Sequence, residues 1–172
     1  MKIISSNPID ELIKQIKTSL KNGDYYIAIF MCLTLPDICA ALESKDGEAS
    51  GKKFKDWFDK YVSDKYYGML SGDTCYRLRC GTLHQGKAMH AKLGYERIIF
   101  TPTINGNVFH CNVLNNALNL DINTFSHDII DGVATWMNDM KNNEFFIENF
   151  KSFLKIYPSG LPPYIVGYPV IS

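Results

Sequence analysis

At 172 residues and 46% hydrophobic content, the chain is long enough to bury a substantial core in one domain and too apolar to be a disordered protein. Its 18 basic side chains balance 18 acidic ones, which excludes a general attraction to nucleic acid; any RNA contact must rest on a local basic patch. Five cysteines, at positions 32, 39, 75, 80 and 111, form no C-x2-C pair, and no basic segment leads into an apolar run at the start, so a reduced cytoplasmic protein without a signal peptide is expected.

Ile9, Leu12, Ile13, Ile16 and Leu20 recur at helical spacing, with Pro8 placed for the first turn and Asn22-Gly23 as the stop, predicting a first helix. From Asp24 to about Glu43 the residues are almost continuously apolar, as in a central helix buried on most sides. Pro36 removes one helical hydrogen bond and is expected to kink or interrupt it. The longest apolar stretch, Tyr25 to Leu35, is too short to span a bilayer, so no membrane helix is expected. An Asp46-Gly47 turn and Ser50-Gly51 lead into Phe54, Trp57, Phe58, Tyr61 and Val62, a third helix in which Phe54 and Trp57 read as core. Ser71-Gly72-Asp73 offers N-cap chemistry for a short fourth helix, and Gly86 its exit.

Beyond Gly86 the pattern changes. Tyr95 to Thr101 and Asn107 to Val113 are β-prone and flank Asn105-Gly106, a strong hairpin-turn signal, so a β-hairpin over about 95–113 is predicted within an otherwise α-helical chain. Alternation along its second strand would put Phe109, Cys111 and Val113 on one side and His110 on the other, as a surface residue. Phe125, Ile129, Val133, Trp136, Met137 and Met140 mark a fifth helix, and Phe146, Phe150, Phe153, Leu154 and Tyr157 a sixth. From Pro158 onward, Pro162, Pro163 and Pro169 forbid a helix in a segment that is still apolar; it is expected to lie extended across the bundle or a partner subunit.

The densest chemistry lies in Tyr76-Arg77-Leu78-Arg79-Cys80-Gly81-Thr82-Leu83-His84-Gln85-Gly86: two guanidiniums that keep their protons and an imidazole able to exchange one near neutral pH. At roughly 100° per residue Arg77 falls on nearly the same helix face as His84, with Cys80 and Gly81 between them, whereas Arg79 lies about 140° away. Arg79 can join His84 through its long side chain, a late break in the helix or a symmetry mate, so both arginines are candidates. The plainer alternative makes the arginines surface ion-pair partners and His84 a cation at a helix C-terminus. Tyr76 can stack on a base or pack in the core, Asp73 can steer an arginine or cap the helix, and Lys87 and His90 add positive charge beside the motif or belong to a solvated loop.

Arg79 to His84 reads as R-x4-H and Arg77 to His84 as R-x6-H, and both resemble the R-x4-6-H signature of HEPN domains. The Leu78-Arg79 pair and His84-Gln85-Gly86 strengthen that likeness, while Cys80 stands where the family often has Asn, Asp or His. The resemblance implies an all-α bundle, a homodimer whose Arg and His residues line one composite cleft, and in many members metal-independent RNA cleavage, often as a toxin or in defence, with an antitoxin protein as partner. Separately, Pro36-Asp37-Ile38-Cys39-Ala40-Ala41-Leu42-Glu43, Gly47-Glu48-Ala49-Ser50-Gly51 and Pro162-Pro163-Tyr164-Ile165-Val166-Gly167 resemble a family of uncharacterised bacterial proteins, which brings no activity with it.

RNA carries its own nucleophile in the 2′-OH, so His84 would move protons while Arg79 or Arg77 stabilises the charged phosphorane; no metal or other cofactor is called for. One histidine cannot comfortably act as both acid and base. A two-fold dimer supplies two, and Gly81 offers a place for a partner helix to approach. The alternatives are a noncatalytic module that holds a nucleotide or other phosphate-bearing ligand in the same cleft, and a structural interaction subunit. No Gly-rich phosphate loop, nucleophile elbow or H-E-x-x-H zinc helix is present to support a kinase, hydrolase or protease.

Overall fold

The computed structural model describes residues 7–89, 94–103 and 105–172, and is mainly helical. His90 lies outside the described residues. Helix α1 (Pro8–Asn22) starts on an Asn7 cap and stops at Gly23, whose φ of 79° is the left-handed conformation that glycine adopts without a Cβ penalty. Helix α2 (Tyr25–Leu42) is the centre of the fold, with α1, α3 (Gly51–Tyr61), α4 (Gly72–Gln85), α5 (Ile122–Asp139) and α6 (Glu144–Phe150) packed on it.

Of the kink or interruption expected at Pro36, the interruption does not occur: α2 runs through that residue to Leu42. By length and composition this 18-residue helix is apolar enough to cross a membrane, although half of it is buried inside the bundle. Around it Trp57, Trp136, Tyr66, Phe54, Phe58 and Phe125 form the bulk of the core. Two polar pairings brace the core: Trp136 Nε1 donates to Glu43 at 2.8 Å, and Asp128 accepts from the Tyr66 hydroxyl at 3.0 Å and from Lys65 at 2.9 Å. Burial and the adjacent Asp128 carboxylate push the Tyr66 phenol far up, keeping it protonated as a donor.

The C-terminal end of α2 is closed from a distance. Asn149 on α6 donates its side-chain amide to the carbonyls of Leu42 at 3.0 Å and Ser44 at 2.8 Å, which no intrahelical donor reaches. Asn149→Ala is therefore expected to lower stability by about 1–2 kcal/mol, measurable by urea denaturation with an unchanged slope.

The predicted hairpin over 95–113 is corrected. Strand β1 (Arg97–Thr101) forms as expected but pairs in parallel with β3 (Ala117–Asp121), and β3 pairs antiparallel with β2 (Asn112–Leu114), giving the order β1-β3-β2. The tight hairpin turn is Asn115-Asn116, with φ of 48° and 58°, positive at both central residues as a two-residue β-turn of the primed type requires. Asn105-Gly106 also turns with positive φ, but the strand expected after it is broken at Cys111, whose φ is 51°. That break rotates His110 inward. Its ring lies 5.4 Å from Tyr66 and its Nε2 is 4.0 Å from Asp128, so it is not the surface residue that alternation predicts.

Strand β3 is buried at all five positions and runs straight into α5, which Asp121 caps by accepting from the Thr124 backbone N–H at 2.8 Å. Burial alone would raise the Asp121 carboxyl; hydrogen bonds from Thr103 and Thr124 outweigh it and hold the group below its usual range.

Helix α6 is shorter than its aromatic period suggests. Phe146 and Phe150 lie on it, Phe153 follows in a turn, and Tyr157 belongs to strand β4 (Ile156–Tyr157). The proline-rich segment, expected to lie extended across the bundle or a partner subunit, pairs with itself. It doubles back as an arm: β4 pairs with β7 (Val170–Ile171), and β5 (Gly160–Leu161) with β6 (Ile165–Val166).

Candidate functional site

Helix α4 carries the motif, and its start is built by local sequence. The Ser71 hydroxyl accepts from the Thr74 N–H at 3.2 Å, and Asp59 of α3 takes the Gly72 N–H at 2.6 Å, so two of the unsatisfied first-turn donors are met. The helix ends at Gly86, with φ of 63°, whose N–H bonds to Thr82 O while that of Lys87 bonds back to Gly81 O at 3.0 Å.

Of the two arginines, it is Arg79 that meets His84. Its Nη1 lies 2.7 Å from His84 Nε2, across the face difference that made Arg77 the closer partner on an ideal helical wheel. The reach of the guanidinium accounts for this, since the helix remains regular to Gln85. Arg77 is held elsewhere: its Nε bonds to Asp73 at 2.7 Å, one turn back, and Asp73 also binds Lys55 at 2.5 Å. Asp73 thus steers Arg77, while the cap is Ser71.

The partner that sequence reasoning missed is Asp37 on α2. Its Oδ2 accepts from Arg79 Nε at 2.8 Å, with side chains only 12% and 20% exposed respectively. Burial raises the Asp37 carboxyl above its usual range, against the opposing pull of the Arg79 guanidinium. A signal for it was present: Asp37 is the single charged residue in the 18 of α2, and a buried lone charge demands a partner.

An arginine has no acceptor, so at 2.7 Å it is the donor and His84 Nε2 supplies the lone pair. His84 is then the neutral tautomer with its proton on Nδ1. The guanidinium is fixed from both sides, Nε by Asp37 and Nη1 by His84, in a plane suited to a phosphate.

Tyr76 is partly buried against Phe54, 5.3 Å between ring centroids, and its ring is so close to Gly51 that a Cβ there would come within 2.7 Å. Burial and a hydrogen bond with Cys80 push its phenol up. Lys87 is exposed at the helix exit. Gly81 does not receive a partner helix: it is buried under the carbonyls of Lys87 and Met89, which a Cβ would approach to 2.8 and 3.2 Å. The expected dimer contact at that glycine is thus taken by the chain's own loop.

An apolar cavity of about 420 Å³ lies away from Arg79, between the N-terminal half of α2 and the end of α4. Tyr25, Tyr26, Ile29, Phe30, Phe100 and Pro102 line it. Compared with known proteins, the chain matches no family model, no curated protein and no solved structure.

Proposed function

We propose that this protein is a metal-independent endoribonuclease of HEPN type, acting in the cytoplasm as a homodimer, with Arg79 and His84 as its catalytic pair. The observation that carries this reading is the 2.7 Å approach of Arg79 Nη1 to Nε2 of His84, with Asp37 locking the guanidinium from behind. Toxin or defence activity restrained by an antitoxin follows from the same resemblance.

In the resting site the His84 lone pair is occupied by an Arg79 N–H. A phosphodiester competes for that donor with a full negative charge, so its arrival draws Nη1 away and frees Nε2. His84 then takes the 2′-OH proton, the 2′-oxygen attacks phosphorus, and Arg79 stabilises the phosphorane. His84 of the partner subunit, which has taken a proton from solvent on its own released Nε2, gives that proton to the departing 5′-oxygen as the P–O5′ bond breaks, leaving a 2′,3′-cyclic phosphate and a 5′-hydroxyl. Arg77, paired to Asp73, keeps its charge near the phosphate path, where Lys87 and Tyr76 can add backbone and base contacts.

The test is cleavage of a mixed RNA pool in EDTA, beside a light-scattering mass. Wild type should cut it, and His84→Ala should be slower by about 100-fold or more. A folded wild type that leaves the pool intact overturns the ribonuclease reading. Cys80, where the family favours a polar residue, supports a second reading: a noncatalytic module that holds a nucleotide or other phosphate-bearing ligand on Arg79. Nucleotide retention that is lost on Arg79→Ala and kept on His84→Ala would identify it.

A further inference from the structure

We propose that Lys87 holds the phosphate next to the scissile one, that Gly81 is the residue that positions Lys87 for it, and that the site therefore takes RNA strands in preference to dinucleoside monophosphates. The proposal rests on the ribonuclease reading and adds a substrate class to it.

A glycine inside a helix is less favourable than an alanine, so Gly81, four residues before the end of α4, calls for a packing reason. The chain beyond the helix supplies it. Gly86 turns the backbone with a φ of 63°, and the Lys87 N–H then bonds to Gly81 O at 3.0 Å. The usual closure of this kind reaches a carbonyl five positions back; this one reaches six, so residues 87–89 fold back along the last turns of α4. A Cβ at position 81 would sit 2.8 Å from Lys87 O and 3.2 Å from Met89 O, both backbone atoms that no rotamer change moves. Only glycine leaves room for this strap.

The strap is tied at two further points. Thr82 Oγ1 donates to Lys87 O at 3.4 Å, and the Ile98 N–H of β1 donates to Ala88 O at 3.1 Å, while the Ala88 side chain packs against the core. The backbone of Lys87 is thereby fixed from both directions. Its side chain is exposed, on a flexible four-carbon stem, and meets no carboxylate among the described residues. The other cations on or beside the motif helix are neutralised: Arg79 by Asp37, and Arg77 and Lys55 by Asp73.

Lys87 lies three positions past His84, which bounds the distance between their Cα atoms at about 11 Å. A strand whose scissile phosphate sits on Arg79 and His84 thus carries its adjoining phosphate past Lys87. A compact ammonium suits that contact, which needs charge and no fixed plane, as the forked guanidinium suits the scissile group. Phosphate contacts position a strand without reading its bases, so Lys87 selects for strand length and not for sequence. A dinucleoside monophosphate has only the scissile phosphate and cannot use it.

The experiment compares cleavage of a tetranucleotide with that of a dinucleoside monophosphate by the full chain in EDTA. Wild type should favour the tetranucleotide by at least about 10-fold in kcat/KM, and Lys87→Gln should remove that preference through KM, with kcat little changed. Gly81→Ala should lower the preference by a similar factor, and adding Lys87→Gln to it should change it by less than about twofold further, because both act on one contact. Thr82→Val releases the Lys87 carbonyl without crowding position 81, so it tests the strap even if Gly81→Ala unfolds; a fall of about threefold is expected. On a 2′-O-methyl strand, which lacks the nucleophile, Lys87→Gln should also flatten the log–log salt dependence of binding by about 0.7. A wild type that cuts both substrates equally well, equal losses on both in Lys87→Gln, or additive effects of Gly81→Ala and Lys87→Gln overturn the proposal and leave the ribonuclease reading intact. A wild type that cleaves neither substrate overturns both.

Discussion

Arg79→Ala is expected to lower folding stability by about 2–3 kcal/mol at neutral pH in addition to abolishing any RNA cleavage, whereas Arg77→Ala should leave stability within about 0.5 kcal/mol. The difference comes from what each arginine leaves behind. Arg77 pairs with Asp73, which is nearly half exposed and keeps Lys55 as a second partner. Arg79 pairs with Asp37, whose side chain is 12% exposed and whose carboxyl burial already raises. Without the guanidinium the folded-state value of Asp37 rises further above its unfolded one. Above that raised value the fold carries a buried, uncompensated charge. As pH falls through it Asp37 takes up a proton, and below the unfolded value near 4 the penalty vanishes. The gap between wild type and Arg79→Ala should therefore be widest at pH 7 and close toward pH 4 in urea melts, and Asp37→Asn should recover most of it. A gap independent of pH would mean that the loss lies in packing and that Asp37 is not the partner that matters.

Gly72→Ala should destabilise by about 2–3 kcal/mol, although alanine in place of a helical glycine ordinarily gains about 1 kcal/mol. At this position a Cβ would come within 2.8 Å of Lys55 Cα and closer still to the Lys55 carbonyl oxygen, so the obstacle is the backbone of α3, which cannot rotate aside. The same close approach lets Asp59 reach the Gly72 N–H. Since α4 carries Arg79 and α2 carries Asp37, prising α4 from α3 should also weaken the pairing at the site; thermal unfolding and RNA cleavage should fall together. Gly86→Ala is the comparison, because its φ of 63° strains any side chain while no atom of the described residues lies near its Cβ, and a smaller loss of about 1 kcal/mol is expected there.

How the site is assembled bears on how far a single sequence can be read. The motif helix, its Ser71 cap and its Gly86 exit follow from local chemistry, as do α1, α3 and α5 from their apolar periods. Choosing between the arginines did not follow, because ideal helical angles describe Cα positions and a guanidinium reaches several ångströms beyond them. The sheet was only partly legible. Asn105-Gly106 and Asn115-Asn116 carry similar turn chemistry, and the strand partners were decided by which segment could be buried on both faces; Ala117 to Asp121 is, at every position. Alternation failed at His110 because the left-handed Cys111 breaks the pleat, something residue type does not announce.

The sequence by itself determined helices α1 to α5, the Ser71 cap and the Gly86 exit, the uncharged apolar character of the last segment and the residues able to do chemistry, since propensity, capping and periodicity act over a few neighbours. Only the tertiary structure decided that Asp37, 42 positions from Arg79, closes the site, that Gly81 packs under its own loop, and that β1 pairs with β3. Those outcomes depend on burial. A charge, a glycine or a strand takes its role from what the folded chain brings within a few ångströms of it, and spacing along the sequence carries little of that information.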